Sequence, residues 1–195
     1  MRHWLLILAV TSSAFSQADD DERYRFLYHL KRVEMYANQL RDTTIKEKLI
    51  VDREEAQFLY LKSGICMEPD SLKRCVAAWK RWYHIAYSDS LHSPIILSST
   101  QIEHILNVLA NDANRRLASL QTRCESRGIL LDSCAVEQTY LCDDGNILAS
   151  ISDIGNEVRD VYYLRDAWDQ LDQWRNWIKE HSGHFDWSTM YITAK

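Results

Sequence analysis

Apolar residues return every three or four positions through most of this 195-residue chain, and only two prolines, Pro69 and Pro94, and five glycines interrupt them. That spacing lays a continuous apolar stripe along one side of a helix, whereas a strand would scatter it over both faces. The first pattern opens on the acids Asp19 to Glu22, where a helix dipole favours negative charge. It runs through Phe26, Leu30, Val33, Ala37 and Leu40. Asp42, Thr43 or Thr44 is placed to cap a second pattern through Ile45, Leu49, Ala56, Leu59 and Tyr60, which Lys62-Ser63-Gly64 stops. Pro69 suits a third start, with Asp70 or Ser71 as cap; its face is Leu72, Val76, Trp79, Tyr83 and Ala86, and Pro94 closes it. Thr100 and Glu103 have capping-box spacing before a fourth stripe on Ile102, Ile105, Leu106, Leu109, Ala113, Leu117 and Leu120. A last pattern extends from Asn146 to Ile178, with Gly155 marking a bend. Residues 181–195 show no period and read as an irregular tail. Strand signals are weak and no repeat is evident, so the expected class is all-α, built from long antiparallel helices.

The N-terminus reads as an export signal over residues 1–17. Arg2 is followed by the apolar run Trp4 to Val10 and by small residues suited to cleavage after Ser16 or Ala18. The run is far shorter than the roughly 20 residues a membrane span needs, and no later segment is more apolar, so no span is expected. Removal of the leader leaves 22 basic against 28 acidic residues, a net charge of −6, which offers no basic footprint for nucleic acid. The remainder, 19–180, suits a single helical domain of a secreted protein.

Five cysteines in an exported chain favour disulfides, and the odd count leaves one over or available to another chain. They fall at short range: Cys66 near Cys75, and Cys124 near Cys134 across RCESRGILLDSC, with Cys142 beyond. The second loop reads as a structural clip in preference to half a metal site; closing it would stabilise the fold by about 3 kcal/mol in the chain-entropy model. A zinc peptidase helix would place two histidines one turn apart around a glutamate, and His-Glu-x-x-His is absent. His181 and His184 flank a glycine and read as a solvated loop; His84, His92 and His104 are scattered. No nucleophile elbow or phosphate-cradling loop occurs, so no catalytic residue, metal or cofactor is assigned. The tryptophan stripes (Trp79, Trp168, Trp174, Trp177) suit a core; Trp82 lies off the main face of its helix and is the candidate for partner binding.

Several segments, in order, resemble one family. VEMYANQLRDTTIKEKLIVDREEA (Val33 to Ala56) is similar to the W-x-Y-x-T-N-I-T-x-E-N…E-E-A stretch near the start of the angiotensin-converting enzyme family, the peptidyl-dipeptidases. PDSLKRCVAAWKRW resembles its D-P-x-L-K-R segment, and the stretch from SSTQIEHIL to QTRC resembles the one ending Y-S-T-A-K-V-C. GNILASISD and YYLRDAWDQL resemble N-I-L-A-x-S-R-D and L-L-Y-x-W-E-G-W-R. The resemblance covers about residues 24 to 172. It implies the helical region that forms a lid over the peptidase cleft, and a Cys124–Cys134 pair. The chain also departs from the pattern: Asp42-Thr43-Thr44 replaces a glycosylation sequon, Leu141 stands where a cleft glutamate is expected, and Asp169 where an anion-binding arginine is. Cys66, Cys75 and Cys142 lie outside the pattern, and the zinc helix would lie beyond Lys195.

The reading that follows is a secreted, non-catalytic relative of that family, acting by binding a protein or peptide, with Cys142 as a candidate intermolecular bridge in a homodimer. The alternatives are an N-terminal fragment of a zinc peptidyl-dipeptidase, and a small helical carrier of apolar ligands.

Overall fold

The computed structural model describes residues 2–39, 48–65, 72–136, 163–188 and 192–195, with side chains from residue 19 in the first helix and from residue 56 in the second. The described residues are mostly helical, with a single two-stranded sheet, as the apolar periodicity requires. None of the described helices is long and apolar enough to cross a membrane. The chain divides into two compact units, 1–96 and 97–195.

The first unit holds α1 (Arg2–Gln39), α2 (Lys48–Ser63) and α3 (Leu72–Tyr87). α1 begins well before Asp19 and runs through the expected leader junction without a break. No proline or glycine occurs in the chain's first 39 residues to stop it. α1 packs on α2 and α3. Phe26, Leu30, Val33, Leu59, Trp79 and Tyr83 are buried, as the three- and four-residue spacing selects, and Leu27, off that spacing, is buried with them. α2 ends where Lys62-Ser63-Gly64 predicts. Gly64 takes φ +69°, a conformation open to glycine without steric penalty, and its N–H donates to the Tyr60 carbonyl at 2.7 Å. The Trp79 indole N–H then donates to the Ile65 carbonyl at 3.2 Å, tying the end of α2 to α3.

The second unit holds α4 (Ser99–Glu125), a 3-10 turn (Leu131–Ser133), α5 (Leu164–Glu180), β1 (Phe185–Asp186) and β2 (Thr193–Ala194). The capping box is real but sits two residues earlier than the spacing Thr100-Glu103 suggests. The Ser98 hydroxyl accepts from the Gln101 N–H at 3.2 Å, and the Gln101 side chain accepts from the Ser98 N–H at 2.9 Å. This releases Glu103, whose carboxylate accepts from the Ser182 hydroxyl at 2.9 Å and the Gly183 N–H at 3.1 Å. Ser99 Oγ accepts from the Phe185 N–H at 2.7 Å, so the first turn of α4 anchors the chain beyond α5.

The stretch read as an irregular tail therefore contains a hairpin. Phe185 pairs with Ala194 and Asp186 with Thr193, and Phe185, Trp187 and Ile192 are buried. Its strands are two residues long, too short for a period to register. α5 begins at Leu164 because Tyr163 is extended and bridges Ala135. The expected start at Asn146 and bend at Gly155 lie outside the described residues. α4 and α5 pack through Ile102, Ile105, Leu106, Leu109, Leu171, Trp174 and Ile178.

Candidate functional site

The end of α4 is built by its sequence into a rigid, apolar-tipped loop. Gly128, at φ +68°, turns the chain, and the Ile129 N–H returns to the Cys124 carbonyl at 3.0 Å. Cys124 and Cys134 form a disulfide with their Cα atoms 6.2 Å apart. Between them the 3-10 turn closes through Ser133 N–H to Leu130 O at 2.9 Å. The far side is tied to α5: the Leu164 N–H donates to Cys134 O at 2.9 Å, and Arg165 pairs with Asp132 at 2.8 Å. On this frame Ile129, Leu130 and Tyr163 keep 37%, 75% and 46% of their surface exposed. Fully burying an aliphatic side chain is worth about 1.5–3 kcal/mol, and Leu130, at 75% exposed, has most of that still to gain. The disulfide and the backbone bonds on either side of Leu130 fix the ends of this frame, which limits the backbone a partner closing over it must order.

In the first unit a polar cluster holds the segment after α3. The buried Glu34 carboxylate pairs with Lys80, accepts from Ser93 Oγ at 3.2 Å, and accepts from the Ile95 N–H at 2.6 Å. Lys80 also donates to His92 O at 2.9 Å and meets Ser93 Oγ, while the Lys31 ammonium donates to Ile95 O. Serine beside lysine is a nucleophile–base arrangement when the amine is neutral. Here the Lys80 amine is engaged by Glu34 and by the His92 carbonyl as well as by Ser93. The cluster acts as a clamp on residues 92–95.

The Cys124–Cys134 loop is a clip, and no group of three or more histidine, cysteine or acidic side chains among the described residues could hold a metal. Cys75 is buried on α3; Cys66, Cys142 and Leu141 lie outside the described residues. Trp82 is half-buried, its ring centroid 4.7 Å from Phe26 and 5.9 Å from Tyr87, so much of it serves the first unit's packing. His181 is tied to the Trp177 carbonyl through Nδ1 at 2.9 Å. Asp169 lies on α5. Ile129, Leu130 and Tyr163 are not singled out by the sequence; the signal for the first two is the run of three aliphatics, Ile129 to Leu131, after Gly128 in an otherwise polar loop, and Tyr163 has none.

No family model, curated protein or solved structure matches this chain. The resemblance to the angiotensin-converting enzyme family therefore rests on the order of its sequence segments alone.

Proposed function

We propose that this chain is a secreted, non-catalytic helical protein that binds a protein or peptide partner through the apolar rim of its disulfide-clipped loop. The observation that carries the reading is the exposure of Leu130, Ile129 and Tyr163 on a hydrogen-bonded frame. Exposed large apolar side chains are candidate contact points for a partner, and aromatics are enriched among the residues that dominate interfaces. The export reading rests on the leader-like residues 1–17.

The finer form of the proposal, a peptidyl-dipeptidase-like lid region without its zinc helix, is supported by the segment order. It is tested by sequencing the transcript past Lys195 for a His-Glu-x-x-His codon run. The binding reading is tested by selecting peptides from a displayed library on the full chain and measuring them against Leu130→Asp. Selected peptides should lose at least about tenfold in affinity on Leu130→Asp, since truncating a hot spot costs 2 kcal/mol or more. Failure to select any peptide, or peptides indifferent to the substitution, refutes the reading. Comparing the chain's mass with and without reductant tests the Cys142 homodimer: a monomer under both conditions removes it.

A further inference from the structure

α3 contains no acidic residue, although acids outnumber bases 28 to 23 in the chain. Its inner face is accounted for: Cys75, Val76, Trp79 and Tyr83 are buried, and Lys80 serves the Glu34 clamp. Its outer face exposes Lys73, Arg74, Ala77, Arg81, His84 and Ile85. Arg74 and Arg81 are seven residues apart, which places them on the same side of the helix about 10 Å from each other. Ala77 lies between them as a low floor, and Ile85 continues the line with 80% of its surface exposed. Three other cations of the same unit are paired: Arg23 with Asp89, Lys62 with Glu22, Lys80 with Glu34. Lys73, Arg74 and Arg81 take part in no ion pair among the described residues.

From this juxtaposition we infer that the outer face of α3 docks an acidic segment of a partner protein, with carboxylates on Arg74 and Arg81, its backbone over Ala77, and an apolar side chain on Ile85. Charge complementarity selects the acidic character. The net negative charge of the whole chain does not cancel it, because at physiological salt exposed charges are screened beyond about 8 Å and the local strip dominates. Ile85 selects protein over a sulfated polysaccharide, which has no apolar side chain to offer it. Arginine at both charged positions permits two-pronged contact with carboxylates. This surface is distinct from the loop of the second unit, so its success or failure leaves the proposed function untouched.

The test uses the full chain and a fluorescent 14-residue peptide with glutamates seven positions apart followed by leucine, read by anisotropy. A glutamine-for-glutamate peptide, a heparin fragment and sedimentation of the chain alone are run beside it. The expected result is saturable binding of the acidic peptide, weakened about tenfold by Arg74→Glu with Arg81→Glu, in keeping with charge reversal at an interface. Ala77→Trp, which obstructs the floor without changing charge, should weaken it comparably, and Ile85→Ser by a smaller factor. All these positions are exposed, and unchanged helical circular dichroism confirms that the variants fold. Absence of saturable binding, equal binding of the glutamine peptide, insensitivity to Ala77→Trp, or tighter binding of heparin than of the peptide overturns the inference. So does self-association lost on charge reversal without peptide binding, which would make a second copy the occupant.

Discussion

His29 makes a quantitative prediction about acid. Its ring stacks on Phe58 of α2 with centroids 4.2 Å apart, and its Nδ1 is sealed from solvent with no hydrogen-bond partner. Desolvation disfavours the imidazolium, the Arg25 and Arg32 guanidiniums add to that, and the pKa falls from 6.5 to about 3. Between those values the unfolded chain binds a proton that the folded chain does not, so stability rises with pH and is lost as pH falls from about 6.5 toward 3. At 1.36 kcal/mol per unit, the loss from this one group relative to pH 7 is about 1.2 kcal/mol at pH 5.5 and about 2.5 kcal/mol at pH 4.5. Urea unfolding at pH 7, 5.5 and 4.5 measures it, with His29→Phe as reference, a ring of similar size that keeps the stack and removes the proton site. The pH 7-to-5.5 loss should be smaller in His29→Phe by about 1 kcal/mol, in a range where ordinary carboxylates scarcely titrate. Equal losses in both proteins, or an imidazole resonance titrating near 6.5 in the folded chain, would refute the reasoning.

Glu34→Ala should destabilise the chain by about 3–5 kcal/mol in urea unfolding, because it strips Lys80 of its carboxylate and leaves the Ile95 N–H unpaired. Replacing Cys124 and Cys134 together by serine should cost about 2–4 kcal/mol by the same measure, and reductant should reproduce the loss in the unsubstituted protein. Gly128→Ala meets no atom within 4 Å, so its cost is backbone strain alone, about 1–2 kcal/mol. Glu103→Ala should leave α4 capped by Ser98 and Gln101 yet release the 182–183 turn, so amide exchange should speed up at Gly183 and Phe185 while Gln101 stays protected.

What the sequence made legible follows the range of the interaction involved. Apolar spacing acts over one or two turns, and it located the stripes on α1, α3 and α4 and the stop at Gly64. The same local rule fits two registers at the start of α4, since both Ser98-x-x-Gln101 and Thr100-x-x-Glu103 satisfy it. In the structure Gln101 supplies the cap, and Glu103 is engaged by Ser182 and Gly183 from beyond α5, partners no local rule can see. The hairpin at 185–194 was hidden for the same reason. Phe185 and Trp187 are buried by packing and by the Ser99 contact, and no short-range period announces them. The candidate loop lies between these cases. Its cysteines and Gly128 are visible as a clip in twelve residues, but the exposure of Leu130 is decided by Cys134, Asp132 and Tyr163 meeting the start of α5. A sequence can therefore show that a loop is fastened; which of its side chains remains outside depends on what it is fastened to.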